Sequence, residues 1–276
     1  MKKLYILIIS TMMIMMNIVP ISAKAMINNI ANGCDATTVN SSYDITKDGK
    51  KDKIKLVKSG ANLKVSINGK KALKITYPYE YIDYDCKYIQ LKNGKRYLYF
   101  SLNDNNGMGT RGIYKYVSGV LKKQIDLDVL PGLSQKYTGK YIYDHCVESV
   151  KVSGNSITVK YSGDLAQLGI SEYKAKYIYK KGKLNKATSA TYISHSAGYG
   201  ALGKKITVKK NLKAYKSRST NTSYFTVKKN KQVTVMRLSG KRNALWIKVK
   251  YGKKTGWIKV KAAFDTSMFK GVGYGG

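Results

Sequence analysis

Apolar and polar residues alternate through most of this chain, and the polar partner is usually lysine. Leu63, Val65 and Ile67 are separated by Lys64 and Ser66; Asn68-Gly69 follows, and then Leu73 and Ile75 flank Lys74. A period of two places one set of side chains on each face of a strand. Asn-Gly between two such runs suits a two-residue turn, because both of its positions need positive φ. The pattern therefore predicts a hairpin over residues 63–75. The same grammar returns at Asn93-Gly94, Ser118-Gly119, Gly154-Asn155 and Lys181-Gly182. Runs with helical period are almost absent. The expected fold class is all-β, mostly antiparallel, built from consecutive hairpins.

The hairpins recur in units. Tyr84-Asp85-Cys86 precedes Gly94, and Tyr143-Asp144-His145-Cys146 precedes Gly154; the Cys-to-Gly spacing is eight residues in both. Ile113-Tyr114-Lys115-Tyr116 with Gly119 then matches Tyr177-Ile178-Tyr179-Lys180 with Gly182. A shorter unit runs from Lys53 to Ile75. Four strands in about 50–60 residues fit a propeller blade or a duplicated meander. Two or three units do not close a propeller, which needs about four blades. An open propeller-like stack or a sandwich is expected for residues 34–195. Cys86 and Cys146 hold equivalent places in successive units, and equivalent strands adjacent in a stack predict a Cys86–Cys146 disulfide, with Cys34 left over.

The N-terminus changes the picture from fold to location. Lys2 and Lys3 precede an apolar run, Leu4 to Val19, which Pro20 interrupts. Ala23-Lys24-Ala25 then fits a small-x-small cleavage pattern. Residues 1–25 read as a secretory signal, and the mature chain is expected to begin at Met26, secreted and without a membrane-spanning segment.

Lysine and arginine number 51 against 15 acids, a net charge of +36, or +33 without Lys2, Lys3 and Lys24. A field of this size attracts polyanions. Export sets nucleic acid aside as the physiological partner and leaves teichoic acids, anionic lipids and glycans. Alternating lysine on solvent faces also keeps a β-rich protein soluble and blunts its strand edges. A monomer is expected.

Catalytic chemistry finds little support. The chain has two histidines, His145 and His195. His145 is next to Cys146, and neighbours along a strand point to opposite faces, so the pair does not form a nucleophile with its base. No carboxylate pair stands out as a glycosidase dyad. The expectation is a non-catalytic protein, with a wall hydrolase or a polyanion-binding adhesin as alternatives.

Asp44, Thr46, Asp48 and Asp52 place oxygens at loop positions 1, 3, 5 and 9, with Gly49 at position 6 for the sharp turn. The loop resembles the calcium loops of integrin-type (FG-GAP) repeats and the EF-hand-like loops of secreted bacterial proteins. It departs from them at Thr46 and by the lysines at 47, 50, 51 and 55. Ca²⁺ is the one cofactor this resemblance implies.

The segment from Leu212 to Val260 is the most specific. Leu212 opens a strand, Ser217 to Ser223 form a polar loop, and Phe225 and Val227 lead into Lys228-Lys229-Asn230-Lys231. Val233 and Val235 follow. Trp246 to Tyr251, a turn at Gly252, and Gly256-Trp257-Ile258 close the segment. It resembles a bacterial SH3 domain. That resemblance implies a small barrel over residues 204–266, after a Gly- and Ser-rich linker at 196–203 and before a tail at 267–276. The β-repeat domain would then span residues 26–195. It also implies recognition of peptidoglycan in a shallow aromatic groove, with Tyr215, Tyr224, Trp246, Tyr251 and Trp257 as candidates. Residues 201–276 hold twenty Lys or Arg and one acid, Asp265, so anionic wall polymer such as teichoic acid is the other expected partner. As a whole, the chain resembles exported proteins of Clostridia-type bacteria that pair an Asp-Gly-Lys-Lys-Asp β domain with a terminal SH3-like domain.

Overall fold

The predicted hairpin turns form as their residues dictate. Asn68 and Gly69 take φ of 51° and 78°, the pair of left-handed conformations that the right-handed strand twist requires. A computed structural model describes residues 23–34, 36–77, 83–103, 109–129, 145–164, 168, 170–186, 191–195, 203–241, 244–260 and 267–270. The described residues contain strands and no helix, arranged in four antiparallel sheets.

Sheet I is a meander of β2 (Thr38–Tyr43), β3 (Asp52–Ser59), β4 (Asn62–Ile67) and β5 (Lys70–Thr76). Sheet II runs through β6 (Asp83–Gln90), β7 (Arg96–Asn103), β8 (Gly109–Val117) and β9 (Val120–Asp126); β1 (Met26–Cys34) adds to its edge beside β6. Sheet III follows with β10 (His145–Ser153), β11 (Ser156–Asp164), β12 (Ile170–Lys180) and β13 (Lys183–Lys186), and β14 (Thr191–His195) also pairs with β12. Three sequential four-stranded meanders thus fill the first two-thirds of the chain.

Sheet IV has seven strands and curls into a half-barrel. It comprises β15 (Lys205–Val208), β16 (Leu212–Tyr215), β17 (Ser223–Val227), β18 (Gln232–Lys241), β19 (Ala244–Tyr251), β20 (Lys254–Val260) and β21 (Phe269–Lys270). Their spatial order is β17-β16-β20-β19-β18-β15-β21. Asn230, in the turn before β18, has φ of 64°; asparagine tolerates this region through local hydrogen bonding, so glycine is not needed there.

Sheet II is buried on both faces. Tyr84, Cys86, Tyr88, Leu98, Phe100 and Leu102 share a core with Ile54, Leu56, Leu63 and Val65 of sheet I. The alternate residues Ile89, Tyr97, Tyr99 and Ile113 face Ile157, Val159 and Tyr161 of sheet III. Double burial is why β7 reads as an almost unbroken apolar run, Tyr97 to Phe100, instead of alternating. The second core continues without a break into sheet IV, where Leu238, Leu245 and Ile247 join Leu184 of β13. One core therefore spans both sides of the predicted linker, whose residues 196–202 lie outside the described residues, as do residues 1–22 of the predicted signal and 271–276 of the tail.

The expected Cys86–Cys146 disulfide is corrected by the structure. Cys86 is a free thiol at 0 % exposure. It is paired across the backbone with Ala31 and Phe100 in sheet II, whereas Cys146 pairs with Ser162 in sheet III. Equivalent first strands belong to different sheets, and Cys86 faces sheet I, away from sheet III. Burial, and then the charge of Asp85, push its thiol well above the ordinary range, so the reactive thiolate is suppressed. Cys86 is expected to resist alkylation at pH 8 in the native protein and to label completely in denaturant. Mass-spectrometric mapping of native labelling at Cys86 on the minute timescale would contradict this placement.

Candidate functional site: a cationic aromatic groove

Strand register gathers the aromatic and basic side chains of sheet IV. Trp246 on β19 stands opposite Lys259 on β20, and Lys248 opposite Trp257. Trp257 is in turn opposite Tyr215 on β16. Because side chains alternate, all five share one face of the sheet, while Leu245, Ile247, Val249 and Ile258 take the core face. On β18 the phase is reset by a bulge. Val235 pairs with Val249, yet Arg237 pairs with Lys248, so Met236 is the extra residue. The bulge keeps Val235 in the core and turns Arg237 and Ser239 onto the aromatic face.

Tyr215, Trp246 and Lys259 of this face line a groove of about 350 Å³. Tyr215 and Trp246 meet edge to face, with ring centroids 5.8 Å apart. Arg218, Asn221 and Lys259 complete the wall, and Ala244 leaves room beside Trp246. Trp246 itself is 7 % exposed, so it supplies the floor more than an open platform. The loop between β16 and β17 returns over the sheet. There the Arg218 guanidinium lies 4.9 Å from the centre of the Trp257 ring and its Nη1 donates to Ser239 Oγ. Lys248 and Lys259 lie 6.0 Å and 5.9 Å from the Trp257 and Trp246 rings, at the outer limit of cation–π contact.

The charge here is concentrated and one-sided. Burial, and then the nearby charge of Arg237, lower the pKa of Arg218. Burial, and then Arg218, lower that of Lys186, the last residue of β13. Of these cations Arg218 lines the groove, and no acid is present among the described residues of 203–270.

Of the five aromatic candidates, the structure brings Tyr215 and Trp246 together in the groove and sets Trp257 beside them on the same face. Tyr251 takes the core face and stacks on Phe225 at 6.3 Å. Tyr224 is the extra residue of a bulge between β16 and β17 and is 48 % exposed, against Phe225. Neither lines the groove. Gly256 explains the Gly-Trp pair: a Cβ there would come within 2.8 Å of the Phe225 ring and 3.1 Å of Ala214 Cβ. Sequence reasoning missed Lys186, Arg218, Arg237, Lys248, Ser239 and Lys259. Spacing could have found two of them, since Trp246/Lys248 and Trp257/Lys259 are both i, i+2 pairs.

The candidate calcium loop is arranged for hydrogen-bond donors. Asp52 is buried; its Oδ2 accepts from the Ile45 and Thr46 N–H groups, and its Oδ1 accepts from Thr46 Oγ1 and Asn68 Nδ2. Asp44 accepts from the N–H groups of Lys47 and Gly49, and Arg96 Nη1 lies 3.1 Å from its Oδ2. Asp48 accepts from Lys50 N–H. Oxygens engaged by N–H groups and faced by a guanidinium do not converge on a common cation, so these residues do not fit Ca²⁺ as they stand. Among the described residues no group of three or more His, Cys, Asp or Glu is placed to hold a metal ion. The side chains of His145, His195, Cys34 and Cys146 lie outside the described residues.

No family model, curated protein or solved structure matches this chain.

Proposed function

We propose that this chain is an exported, non-catalytic protein of the bacterial cell envelope, and that its sheet IV groove holds wall polymer, either peptidoglycan or the anionic polymer interleaved with it. The observation that carries this reading is the groove itself, where Tyr215 and Trp246 are bordered by Arg218 and Lys259. Flat aromatic faces give a sugar or short peptide apolar contact at small entropic cost. The surrounding cations draw in an anionic surface. The resemblance of residues 204–266 to bacterial SH3 domains supports the same partner, and the signal-like residues 1–25 support the location. Sheets I to III serve as the scaffold, in the manner of stacked integrin-type repeat segments.

The test is retention of the chain from Met26 to Gly276 on purified sacculi, with and without teichoic acid, at low and high salt. Tyr215→Ala, with an unchanged near-ultraviolet spectrum, is expected to weaken binding about tenfold, the loss of roughly 1.4 kcal/mol of aromatic contact. Equal retention of this variant and the native chain would remove the groove from consideration. Binding that depends only on salt and tolerates any polyanion would instead favour a polyanion-binding adhesin.

A further inference from the structure

We propose that the end of the sheet I–III stack that carries its hairpin tips is a membrane-docking surface, held to anionic lipid headgroups by a cluster of lysines. The inference is independent of the sheet IV groove.

Direct contacts bring five loops of three sheets to this one end. In sheet I, loop 44–51 and turn 68–69 are tied together by Asn68, whose Nδ2 donates to Asp52 and whose Oδ1 accepts from Lys53 N–H. The turn between β6 and β7 joins them, with Arg96 Nη1 3.1 Å from Asp44 Oδ2. The same turn meets sheet III: Lys92 N–H donates to Gly154 O at 2.9 Å, and Asn93 N–H to Asn155 Oδ1 at 2.8 Å. Tyr179 N–H donates to Asn155 O, which brings turn 181–182 alongside.

Lys47, Lys50, Lys51, Lys70, Lys92 and Lys181 lie in or next to these loops, and all are exposed. Of the acids at this end, Asp44 is paired with Arg96 and Asp52 is buried, which leaves Asp48. Asp83, Asp126, Asp128 and Asp164 stand at the opposite ends of their strands. The stack is therefore polarised, positive at the tips, and a negative surface turns that end toward itself.

The chain also enters the fold here. Met26 pairs with Gln90, the last residue of β6, and Gln90 Nε2 donates to Lys24 O at 3.1 Å. A Cβ on Gly94 would lie 4.0 Å from Ala23 Cβ and 3.8 Å from Lys47 Cε. The apolar run ends at Val19, four residues before Ala23. Four residues of chain reach at most about 14 Å, so a bilayer holding that run during export lies on the side of the tips. A chain beginning at Met26 keeps its α-amino group at the same end.

The chemistry is that of headgroups and not of hydrocarbon. The exposed residues of the five loops are lysine, aspartate, asparagine and glycine, so contact is electrostatic and falls with salt. The lysines are spread over an end face built from three sheets instead of lining a cleft, which suits a two-dimensional array of charges better than a single linear polymer.

The experiment uses the chain from Met26 to Gly276 with vesicles of equimolar phosphatidylglycerol and phosphatidylcholine, and with vesicles of phosphatidylcholine alone. Lys50→Gln, Lys51→Gln and Lys92→Gln combined are expected to weaken binding to the anionic vesicles about 100-fold, or about fivefold per lysine. Lys74→Gln, Lys174→Gln and Lys176→Gln combined remove the same charge from exposed positions. These lie four or more residues down their strands, about 13 Å from the tips and beyond a Debye length of about 8 Å. That control is expected to change binding less than about threefold. In the native chain, anionic vesicles are expected to slow acetylation of Lys50, Lys51 and Lys92, mapped by mass spectrometry, and to leave Lys74, Lys174 and Lys176 unchanged.

Equal losses in the two triple variants, or uniform protection, would mean that net charge alone does the holding, and would overturn the docking end. So would failure to bind anionic vesicles at low salt. Protection of the tip lysines by poly(glycerol phosphate) but not by vesicles would give the surface to a polymer and overturn the membrane assignment. Tyr215→Ala is expected to bind vesicles as the native chain does, so failure of the groove and failure of this surface are read separately.

Discussion

Replacing Asp52 by alanine is expected to lower stability by about 3–4 kcal/mol at pH 7. The carboxylate is 2 % exposed and receives four hydrogen bonds, two of them from the backbone of Ile45 and Thr46. Alanine leaves those N–H groups and the Asn68 amide without their acceptor, at about 1–3 kcal/mol for each buried group that water does not reach. The loss extends beyond one loop, because Asn68 Oδ1 also accepts from Lys53 N–H and so couples loop 44–52 to the β4–β5 turn. Asp52→Asn should cost less, since its one carbonyl oxygen can still serve both backbone donors. The pH dependence has a definite sign. Burial tends to raise this carboxyl, but the hydrogen bonds from Thr46, Asn68 and Ile45 outweigh it and leave the pKa below 3.8. An acid with a lowered folded pKa contributes stability above its unfolded value and loses it as pH falls through the folded one. The gap between native chain and Asp52→Ala in urea denaturation should therefore be full at pH 6 and narrow below about pH 4. A constant gap would mean that Asp52 acts through packing alone.

The same aspartate shows how far the sequence could be read. The spacing Asp44-x-Thr46-x-Asp48 with Asp52 correctly marks a tight, oxygen-rich loop. It does not reveal what faces those oxygens. Arg96 lies 44 residues further on than Asp52 and reaches Asp44 only because sheet II packs on sheet I. Local signals fared well for the same reason that this one fell short. Asn68-Gly69, Ser118-Gly119 and Lys181-Gly182 all adopt paired positive φ, because turn chemistry is decided within a few residues. Alternation located the strands, but not which strands would be neighbours. The pairing of β1 with β6 passes over four intervening strands of sheet I, and no periodicity records it.

At the groove the limit is set by phase. A reading of β18 by strict alternation from Val233 and Val235 puts Arg237 in the core and Leu238 in solvent. The extra residue Met236 reverses both, and an exposed methionine in a strand is a weak sign of a bulge. Arg218 sits in a polar loop whose sequence says nothing of Trp257, 39 residues later. The aromatic candidates were therefore legible as a set, whereas the division into groove, core and edge needed the register.

Asp128→Asn is expected to stabilise the protein by about 2 kcal/mol at pH 8 and to have almost no effect at pH 5. Asp128 follows β9, and its Oδ1 accepts the Arg111 N–H at 2.7 Å. Burial, and then the neighbouring charge of Asp126, raise its carboxyl; Lys123, Arg111 and the Arg111 N–H act against this, and the result is about 7. An acid whose folded pKa is raised binds its proton more tightly in the native state. Stability therefore falls as pH rises from about 4 to about 7, and the full penalty remains above that. The shift corresponds to at most roughly 4 kcal/mol, and solvent at the partly exposed carboxylate reduces the expected gain to about 2 kcal/mol. Asparagine keeps an oxygen for the Arg111 N–H and removes the charge that burial and Asp126 disfavour. Denaturant melts across pH 4–9 should show a native curve that declines through neutrality and a flatter one for the variant. Destabilisation by Asp128→Asn at pH 8 would reverse the assignment: the buried Arg111 would then be holding Asp128 as an ionised partner, with the guanidinium outweighing both desolvation and Asp126.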